Sequence, residues 1–233
     1  MFKYNMILKN SFFEMSLSAA EYTAEKILAT DTDFFISFPG GSTPALFFKI
    51  LAQLPVLKSS WHRVHIFQGD ERYVSPFSPL LNSTLLRKSF FSYFSSGNSP
   101  SFYPVDTHIA PSQKCAEEYN RILLSALPRN HNGLPFFHLT VLGIGNDGHT
   151  ASVFPDSPAL YESSVPFLAV PAPVTSAPHV PRVTMTLPFI NTSSDIIFLL
   201  AGKHKISLLN DNNKSYPFKA VRNPIVFASV HSR

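Results

Sequence analysis

The sequence predicts an α/β fold in which helices flank a mostly parallel central sheet. Apolar segments of strand length alternate along the chain with amphipathic segments of helix length, which is the pattern of successive βα units. Several apolar segments are nearly continuous, as in strands buried on both faces of a parallel sheet. With 233 residues, of which 45% are hydrophobic, the chain can bury a large core. We expect residues 1–233 to form one domain.

Six strands are expected from the apolar segments. Residues 137–144 and 195–201 form nearly continuous apolar runs, whereas residues 183–187 alternate, as in a half-exposed strand. The six segments are residues 33–38, 63–68, 137–144, 183–187, 195–201 and 225–230.

Five helices are predicted around these strands: residues 18–29, 44–54, 82–94 and 112–127, and a short helix from Lys203. Asn82 or Ser83 would lie near the N-cap of the third helix. Residues 166–181 carry five prolines, so we expect a stiff extended connection there.

The single cysteine, Cys115, shares an apolar helical face with Tyr119, Ile122 and Ala126. It has no cysteine partner for an internal disulfide, and no Cys/His spacing typical of zinc sites is present. We therefore expect a core thiol rather than a nucleophile, in a reducing compartment.

The net charge of +4 comes from scattered lysines and arginines rather than from a basic tail, so it does not indicate a nucleic-acid partner. No apolar stretch is long enough to span a membrane. Glu14 and the lack of a sustained apolar region argue against a signal peptide. A cytoplasmic protein without a membrane partner is expected.

Three loops follow predicted strands, and ligands of open α/β sheets bind outside the carboxyl ends of the strands. The first loop is PGGSTP, residues 39–44. Gly40 and Gly41 permit a tight turn, Ser42 or Thr43 can cap the next helix, and Pro44 suits its first turn. Backbone N–H groups at such a helix start bind phosphate, although a plain strand-to-helix turn explains the motif equally well.

The second loop is GDERYV, residues 69–74, with three consecutive charges after a buried strand. Arg72 can bind a phosphate, a carboxylate or a developing oxyanion through its guanidinium group. Asp70 can hold that arginine or a substrate hydroxyl. A solvated turn with a local ion pair is the alternative.

The third loop lies within LGIGNDGHTASVFP, residues 142–155, where Asp147 and His149 flank Gly148. A free histidine titrates near pH 6.5, which suits general-base catalysis. The glycines, including Gly145, would let backbone N–H groups approach a substrate. The spacing does not fit a dinucleotide fingerprint.

Three further cations follow or begin predicted strands and can add charge to a phosphate site: Arg182, Lys203 and Lys205. Each would otherwise be an ordinary surface cation. The sequence contains no G-x-S-x-G elbow, no H-E-x-x-H and no P-loop motif.

Taken in order, GGSTP, DERYV with Trp61 ahead of its strand, LGIGNDGHTASVFP, RVTMTLPFIN and AGKHK closely resemble the 6-phosphogluconolactonases. These belong to a superfamily shared with the glucosamine-6-phosphate deaminases. The resemblance extends from the first helix to about Val230. It implies a Rossmann-like α/β sandwich that hydrolyses 6-phospho-D-glucono-1,5-lactone to 6-phosphogluconate, without metal or organic cofactor.

The resemblance also implies roles for individual residues. His149 matches the general base that activates water, Arg72 the cation near the substrate, and Asp70 and Asp147 the acids that orient the site. The phosphate would be held by Gly40, Gly41, Ser42 and Thr43, by Arg182, and by Lys203 or Lys205. The only partner implied is the sugar-phosphate lactone, and we expect a monomer or a weak homo-oligomer.

Two other functions remain open from the sequence. The related deaminases typically carry DEY where this chain has Asp70-Glu71-Arg72, and an FNEP-like segment where it has residues 150–155; both differences favour a lactonase. A non-catalytic sugar-phosphate sensor is the second alternative. We consider a sensor because many relatives carry a lysine shortly before the strand at Arg182, where this chain has only His179 as a basic residue.

Overall fold

A central sheet of seven parallel strands organises the fold. The computed structural model describes residues 2–95, 97–155, 157–213 and 215–232. Its strands are β1 (Asn5–Lys9), β2 (Phe34–Phe38), β3 (Val64–Gln68), β4 (Asp70–Arg72), β5 (Ser101–Tyr103), β6 (Leu139–Leu142), β7 (Phe167–Val170), β8 (Arg182–Met185), β9 (Asp195–Ala201) and β10 (Ile225–Ser229). The order in the central sheet is β1-β10-β9-β6-β2-β3-β5, and each neighbouring pair is parallel.

The remaining three strands form a small antiparallel sheet in the order β4-β8-β7. In its register Asp70 lies opposite Thr184, and Arg72 lies opposite Arg182. Because side chains alternate between the faces of a strand, these four side chains share one face of the small sheet.

In the described part of the chain the sheets are accompanied by six α-helices: α1 (Phe12–Leu28), α2 (Pro44–Ala52), α3 (Asn82–Ser89), α4 (Ser112–Ala126), α5 (Leu187–Ile190) and α6 (Lys203–Asn210). In β2, Phe34, Ile36 and Phe38 contact one hydrophobic cluster, which α1, α2 and α3 also supply. Phe35 points the other way, into a cluster shared with α4, α5, α6 and the small sheet. The central sheet is therefore covered on both faces, which explains its continuous apolar strands.

The predicted fold class is confirmed, and β9 has the predicted bounds. Several predictions of local structure were wrong, and one of them is the first helix, which begins at Phe12 instead of Ser18. The alternating segment 183–187 was expected to be half-exposed, but β8 is buried along its whole length because β4 and β7 flank it and the small sheet covers the core. Residues 70–72 are a strand rather than loop, and the connection 166–181 begins with β7. The third helix ends at Ser89 instead of Phe94.

The order of the strands creates a crevice between β2 and β6. From β2 the chain proceeds outward to β3 and β5, and then returns to β6, from which it continues to β9 and β10 on the other side. The loops after β2 and β6 therefore leave in opposite directions, which opens a binding crevice at the carboxyl ends of the strands. Over the described residues, no helix combines the length and apolarity that a membrane span requires.

Candidate active site

A cleft of about 560 Å³ lies at this crevice, and the three predicted loops form most of its wall. Its lining residues are Pro39, Gly40, Gly41, Ser42, Thr43, Pro44, Asp70, Arg72, Asn82, Gly143, Ile144, Gly145, Asn146, Asp147, His149, Ala151, Ser152, Phe154, Thr175, Ser176, Ala177, Arg182 and Lys205. Every predicted site residue except Lys203 is in this set. Lys203 is exposed at the start of α6, so of the two lysines it is Lys205 that faces the cleft.

Asp147 and His149 form a close polar pair in the cleft. Nδ1 of His149 lies 2.5 Å from Oδ1 of Asp147, and the two side chains are 23% and 18% exposed. The ring of His149 also contacts that of Phe154 at 4.6 Å between centroids. Among the residues that the structure describes, no group is hydrogen-bonded to Nε2 of His149. The pair therefore fixes one ring nitrogen and leaves the other for a proton-transfer partner.

Two hydroxyl groups from the proline-rich connection complete the surroundings of Asp147. Thr175 and Ser176 donate to its Oδ2 at 2.9 Å and 2.7 Å. Burial of the carboxyl opposes ionisation, but hydrogen bonding and the charge of His149, followed by the two hydroxyls, lower the pKa of Asp147 well below its usual range. Asp147 is thus held as a carboxylate.

Two glycines of the third loop, Gly145 and Gly148, are required by close packing. A Cβ on Gly145 would lie 2.1 Å from Cε1 of His149, and one on Gly148 would lie 2.2 Å from a ring carbon of Tyr216. Gly148 also has a φ of +79°, which favours glycine. The N–H groups of Gly145 and Gly148 hydrogen-bond within the turn, to the carbonyls of His149 and Gly145. Contrary to our expectation, these two amides do not point toward a ligand.

Two arginines lie side by side on the cleft face of the small sheet. Arg72 and Arg182 are directly opposite each other in the β4–β8 ladder, where neighbouring side chains are about 5 Å apart at Cβ. Arg72 donates to the carbonyl of Leu80 at 2.7 Å. Two adjacent like charges are unfavourable without an anion between them, so this pair indicates an anionic ligand.

Arg182 is the more constrained of the two cations. It is 3% exposed, its Nη2 donates to the carbonyl of Pro178 at 2.8 Å, and its Nη1 is buried without a hydrogen-bond partner among the described residues. Burial lowers the pKa of Arg182, the charge of Asp70 raises it, and the charge of Arg72 lowers it. A buried unpaired donor is costly, and a bound anion would remove that cost.

One of our interpretations of the sequence was that Asp70 holds Arg72. The structure does not show this contact. Its Oδ2 accepts a hydrogen bond of 2.5 Å from Oγ of Ser152, and its Oδ1 accepts one of 3.3 Å from Nδ2 of Asn82. Asn82 also donates to the backbone carbonyl of Asp70 at 2.9 Å. Asp70 therefore joins the second loop to the third loop and to α3.

Glu71, which the sequence reasoning left without a role, lies on the opposite face of β4 and is fully buried. Its carboxyl group accepts hydrogen bonds from the N–H groups of Arg72, Asn82 and Ser83 and from Nε2 of Gln68. Burial raises the pKa of Glu71, and these hydrogen bonds oppose that change. Glu71 caps α3 from a distant part of the sequence, so neither Asn82 nor Ser83 is needed as the N-cap.

The GGST turn enters α2 without a side-chain cap. Thr43 is the N-cap residue, but its side chain makes no capping hydrogen bond, and Pro44 occupies the first turn as predicted. A Cβ on Gly40 would lie 2.0 Å from Oδ1 of Asn82, so the glycine permits close contact with α3. Ser42 and Thr43 line the cleft, and since no side chain caps the helix, their hydroxyls can serve a ligand.

Two other predictions are settled by burial and position. Cys115 is 1% exposed, and burial raises the pKa of its thiol to about 11, which confirms a core thiol. His179 does not replace the missing lysine, because it is hydrogen-bonded to the carbonyl of Pro173 at 2.8 Å and is not one of the cleft residues.

The sequence reasoning missed several residues that support the site. Asn82 was treated only as a possible cap, and Ser152, Thr175 and Ser176 were not singled out. The adjacent hydroxyls of Thr175 and Ser176 between prolines were a signal, since a stiff segment holds polar groups in place. Nothing local indicates the contact of Ser152 with Asp70, 82 positions away.

Comparison with known proteins gives the relatives of this fold and site. The family described as "Glucosamine-6-phosphate isomerases/6-phosphogluconolactonase" matches residues 12–228. The chain belongs to this family. The 6-phosphogluconolactonase of Thermotoga maritima is 33% identical over 216 residues, which cover 92% of this chain and 90% of the relative. That of Synechocystis is 31% identical, with 88% of this chain and 82% of the relative covered.

Solved structures of family members have the same fold. The 6-phosphogluconolactonase of Trypanosoma brucei matches with a TM-score of 0.86 and 25% identity, over 98% of this chain and 97% of its own. The Thermotoga maritima structure matches with a TM-score of 0.80 and 30% identity, over 97% and 100%. A monomeric glucosamine-6-phosphate deaminase shares the fold at 17% identity and a TM-score of 0.77. The family resemblance seen in the sequence is thereby confirmed.

Proposed function

We propose that this chain hydrolyses 6-phospho-D-glucono-1,5-lactone to 6-phospho-D-gluconate, the second step of the oxidative pentose phosphate pathway, by general-base activation of water. The observation that carries the proposal is a positioned Asp147–His149 pair in the same cleft as two adjacent arginines. The relatives named 6-phosphogluconolactonase, which match over most of both chains, support it.

The first chemical step needs a base, and His149 is the base of this proposal. Because Asp147 is held as a carboxylate, the proton of their hydrogen bond resides on Nδ1 and the lone pair of the neutral ring is on Nε2. Nε2 takes a proton from water as the water oxygen attacks the lactone carbonyl carbon. The imidazolium formed is stabilised by the adjacent carboxylate.

The second step breaks the lactone ring. The tetrahedral intermediate carries a negative charge on the former carbonyl oxygen, and the guanidinium of Arg72 is the stabilising cation of this proposal. When the oxyanion reforms a carbonyl group, the bond from that carbon to the ring oxygen breaks. The ring oxygen receives the proton from His149, so a free hydroxyl and a carboxylic acid result and the base is regenerated.

The phosphate group of the substrate is assigned to the basic side of the cleft. Arg182 offers a buried, unpaired N–H, Lys205 faces the same space, and the turn at residues 40–43 supplies hydroxyls at the start of α2. Binding energy from a remote phosphate positions the lactone carbon against the water. We also propose that the protein acts in the cytoplasm and that its only partner is the small-molecule substrate. We expect it to be a monomer or a weak homo-oligomer.

The proposal is tested by a comparison of substrates. Purified protein is incubated with freshly prepared 6-phosphogluconolactone and with unphosphorylated glucono-1,5-lactone, and each rate is corrected for spontaneous hydrolysis. We expect kcat/KM to be at least about 100-fold higher for the phosphorylated lactone, because only its phosphate group can engage Arg182 and Lys205. Absence of any acceleration would reject the lactonase, and ammonia release from glucosamine 6-phosphate would favour a deaminase instead.

A further inference from the structure

Asp70 lies beside Arg182 but does not pair with it. In the β4–β8 ladder Asp70 is opposite Thr184, so Arg182 is its diagonal neighbour on the same face, within reach of a long side chain. The charge of Asp70 acts on Arg182, since it raises the pKa of that guanidinium. Yet within the described ranges no ion pair of 4.0 Å or less joins them. A guanidinium within reach of a carboxylate can form a strong charge-assisted pair with it.

The carboxylate is instead held by two uncharged donors. Ser152 donates to Oδ2 at 2.5 Å and Asn82 donates to Oδ1 at 3.3 Å. Both donors are 1% exposed and are themselves fixed. The N–H of Ser152 is bonded to Oγ1 of Thr184 at 3.0 Å, and the N–H of Asn82 is bonded to Glu71 at 2.6 Å.

The consequence falls on Arg182. Its Nη1 is buried and has no partner in the part of the chain that the structure describes, whereas an ion pair with Asp70 would satisfy it and cancel its charge. A cation neutralised in this way binds a phosphate far less well. The free donor in the cleft therefore depends on Asp70 remaining where it is.

We propose that Ser152 and Asn82 are positioning residues that restrain Asp70 and so keep the Arg182 guanidinium available for the anionic group of the substrate. The inference deepens the proposed function and rests on it only for the identity of the anion. Neither Ser152 nor Asn82 takes part in the chemical steps. The restraint predicts that loss of the Ser152 hydroxyl lowers anion affinity through Asp70, not through the hydroxyl itself.

The test compares Ser152→Ala, Asp70→Asn and the double variant by calorimetric titration with 6-phosphogluconate. In Ser152→Ala the freed Oδ2 turns to Arg182, and we expect binding to weaken by roughly tenfold or more. In the double variant residue 70 is neutral and cannot pair with the guanidinium, so affinity should return to within about threefold of Asp70→Asn alone. Ser16→Ala, which removes another fully buried hydroxyl, on α1, is the control and should bind as the wild type does.

Two binding results would overturn the restraint. One is wild-type affinity in Ser152→Ala, and the other is a double variant as weak as Ser152→Ala. A crystal structure of Ser152→Ala gives a readout that needs no ligand. An Asp70–Arg182 ion pair in it supports the restraint even if the wild type binds no 6-phosphogluconate, a result that would count against the proposed function alone. An unmoved Asp70 would reject the restraint.

Discussion

Gly145 is the residue on which the geometry of the proposed base depends most closely. The ring of His149 lies directly against its α-carbon, and a Cβ there would be 2.1 Å and 2.2 Å from two ring atoms and 2.8 Å from Oδ1 of Asp147. Neither the ring of His149 nor the carboxyl group of Asp147 can move away from such a Cβ without breaking the hydrogen bond between them. A side chain at this position must therefore displace the pair.

We predict that Gly145→Ala lowers kcat by about 100-fold or more while the protein stays folded, because a displacement of about 1 Å in a catalytic group has this effect. Gly143→Ala in the same loop is the matched control. Its Cβ meets no atom within 4 Å, so its effect should be much smaller. Equal losses in the two variants, measured by lactone hydrolysis and thermal unfolding, would argue against close packing as the cause.

The low pKa of Asp147 predicts a dependence of stability on pH. Because the pKa is lower in the folded protein than the value of about 3.9 for a free aspartate, ionised Asp147 stabilises the fold above that pH. This contribution is lost as the pH falls through the folded pKa. We expect Asp147→Asn to melt roughly 3 °C or more below the wild type at pH 6, and the difference to shrink below about pH 4.

Thermal melts at a series of pH values measure this difference. Asp31→Asn is the control, because Asp31 is exposed. We expect this variant to melt close to the wild-type temperature at every pH. If the difference in melting temperature between wild type and Asp147→Asn stays constant from pH 3 to pH 7, the charge of the carboxylate is not what stabilises the loop.

Among the elements, β4 and α3 are joined by a buried carboxyl group. Glu71 accepts four hydrogen bonds, two at each oxygen. A glutamine has the same shape but offers one acceptor oxygen, and its NH₂ group would face two donors. We predict that Glu71→Gln lowers the free energy of unfolding by about 2–4 kcal/mol, since each unpaired buried donor costs about 1–3 kcal/mol. Glu117→Gln, on the exposed side of α4, should change it by less than about 0.5 kcal/mol.

Urea unfolding of the two variants measures both effects. Glu71→Gln should also raise KM for the lactone, since Arg72 and Asn82 both receive their backbone positions from this carboxyl group. A variant as stable as the wild type would contradict the account of the α3 cap.

The elements themselves were predictable where a local pattern decides their structure. The strand from Asp195 to Ala201 is buried on both faces, and its nearly continuous apolar composition was sufficient to predict it. By contrast, β4 consists of three charged residues, and it is a strand only because β8 offers it a ladder. The cap of α3 likewise comes from Glu71, eleven positions away from Asn82. Structure that depends on such tertiary partners cannot be read from a window of neighbouring residues.

At the scale of the whole molecule, the order of the strands brings the residues of the site together. The turn after β2, the small-sheet strand β4 and the glycine loop after β6 are far apart in sequence but meet at one switch point. For this reason the sequence alone placed His149, Arg72 and the GGST turn in one cleft. The role of Ser152 could not be found in this way, because its hydroxyl acts through a contact with Asp70 that only the assembled fold provides.

The central claim is that His149 acts as the base of a lactone hydrolysis. The most direct measurement is the turnover of freshly prepared 6-phosphogluconolactone, corrected for spontaneous hydrolysis, by wild type, His149→Ala and the exposed-site control His131→Ala. We predict that His149→Ala lowers kcat by about 100-fold to 10,000-fold with little change in KM, as expected for loss of a general base, while His131→Ala turns over as the wild type does. Wild-type turnover in His149→Ala would contradict the account.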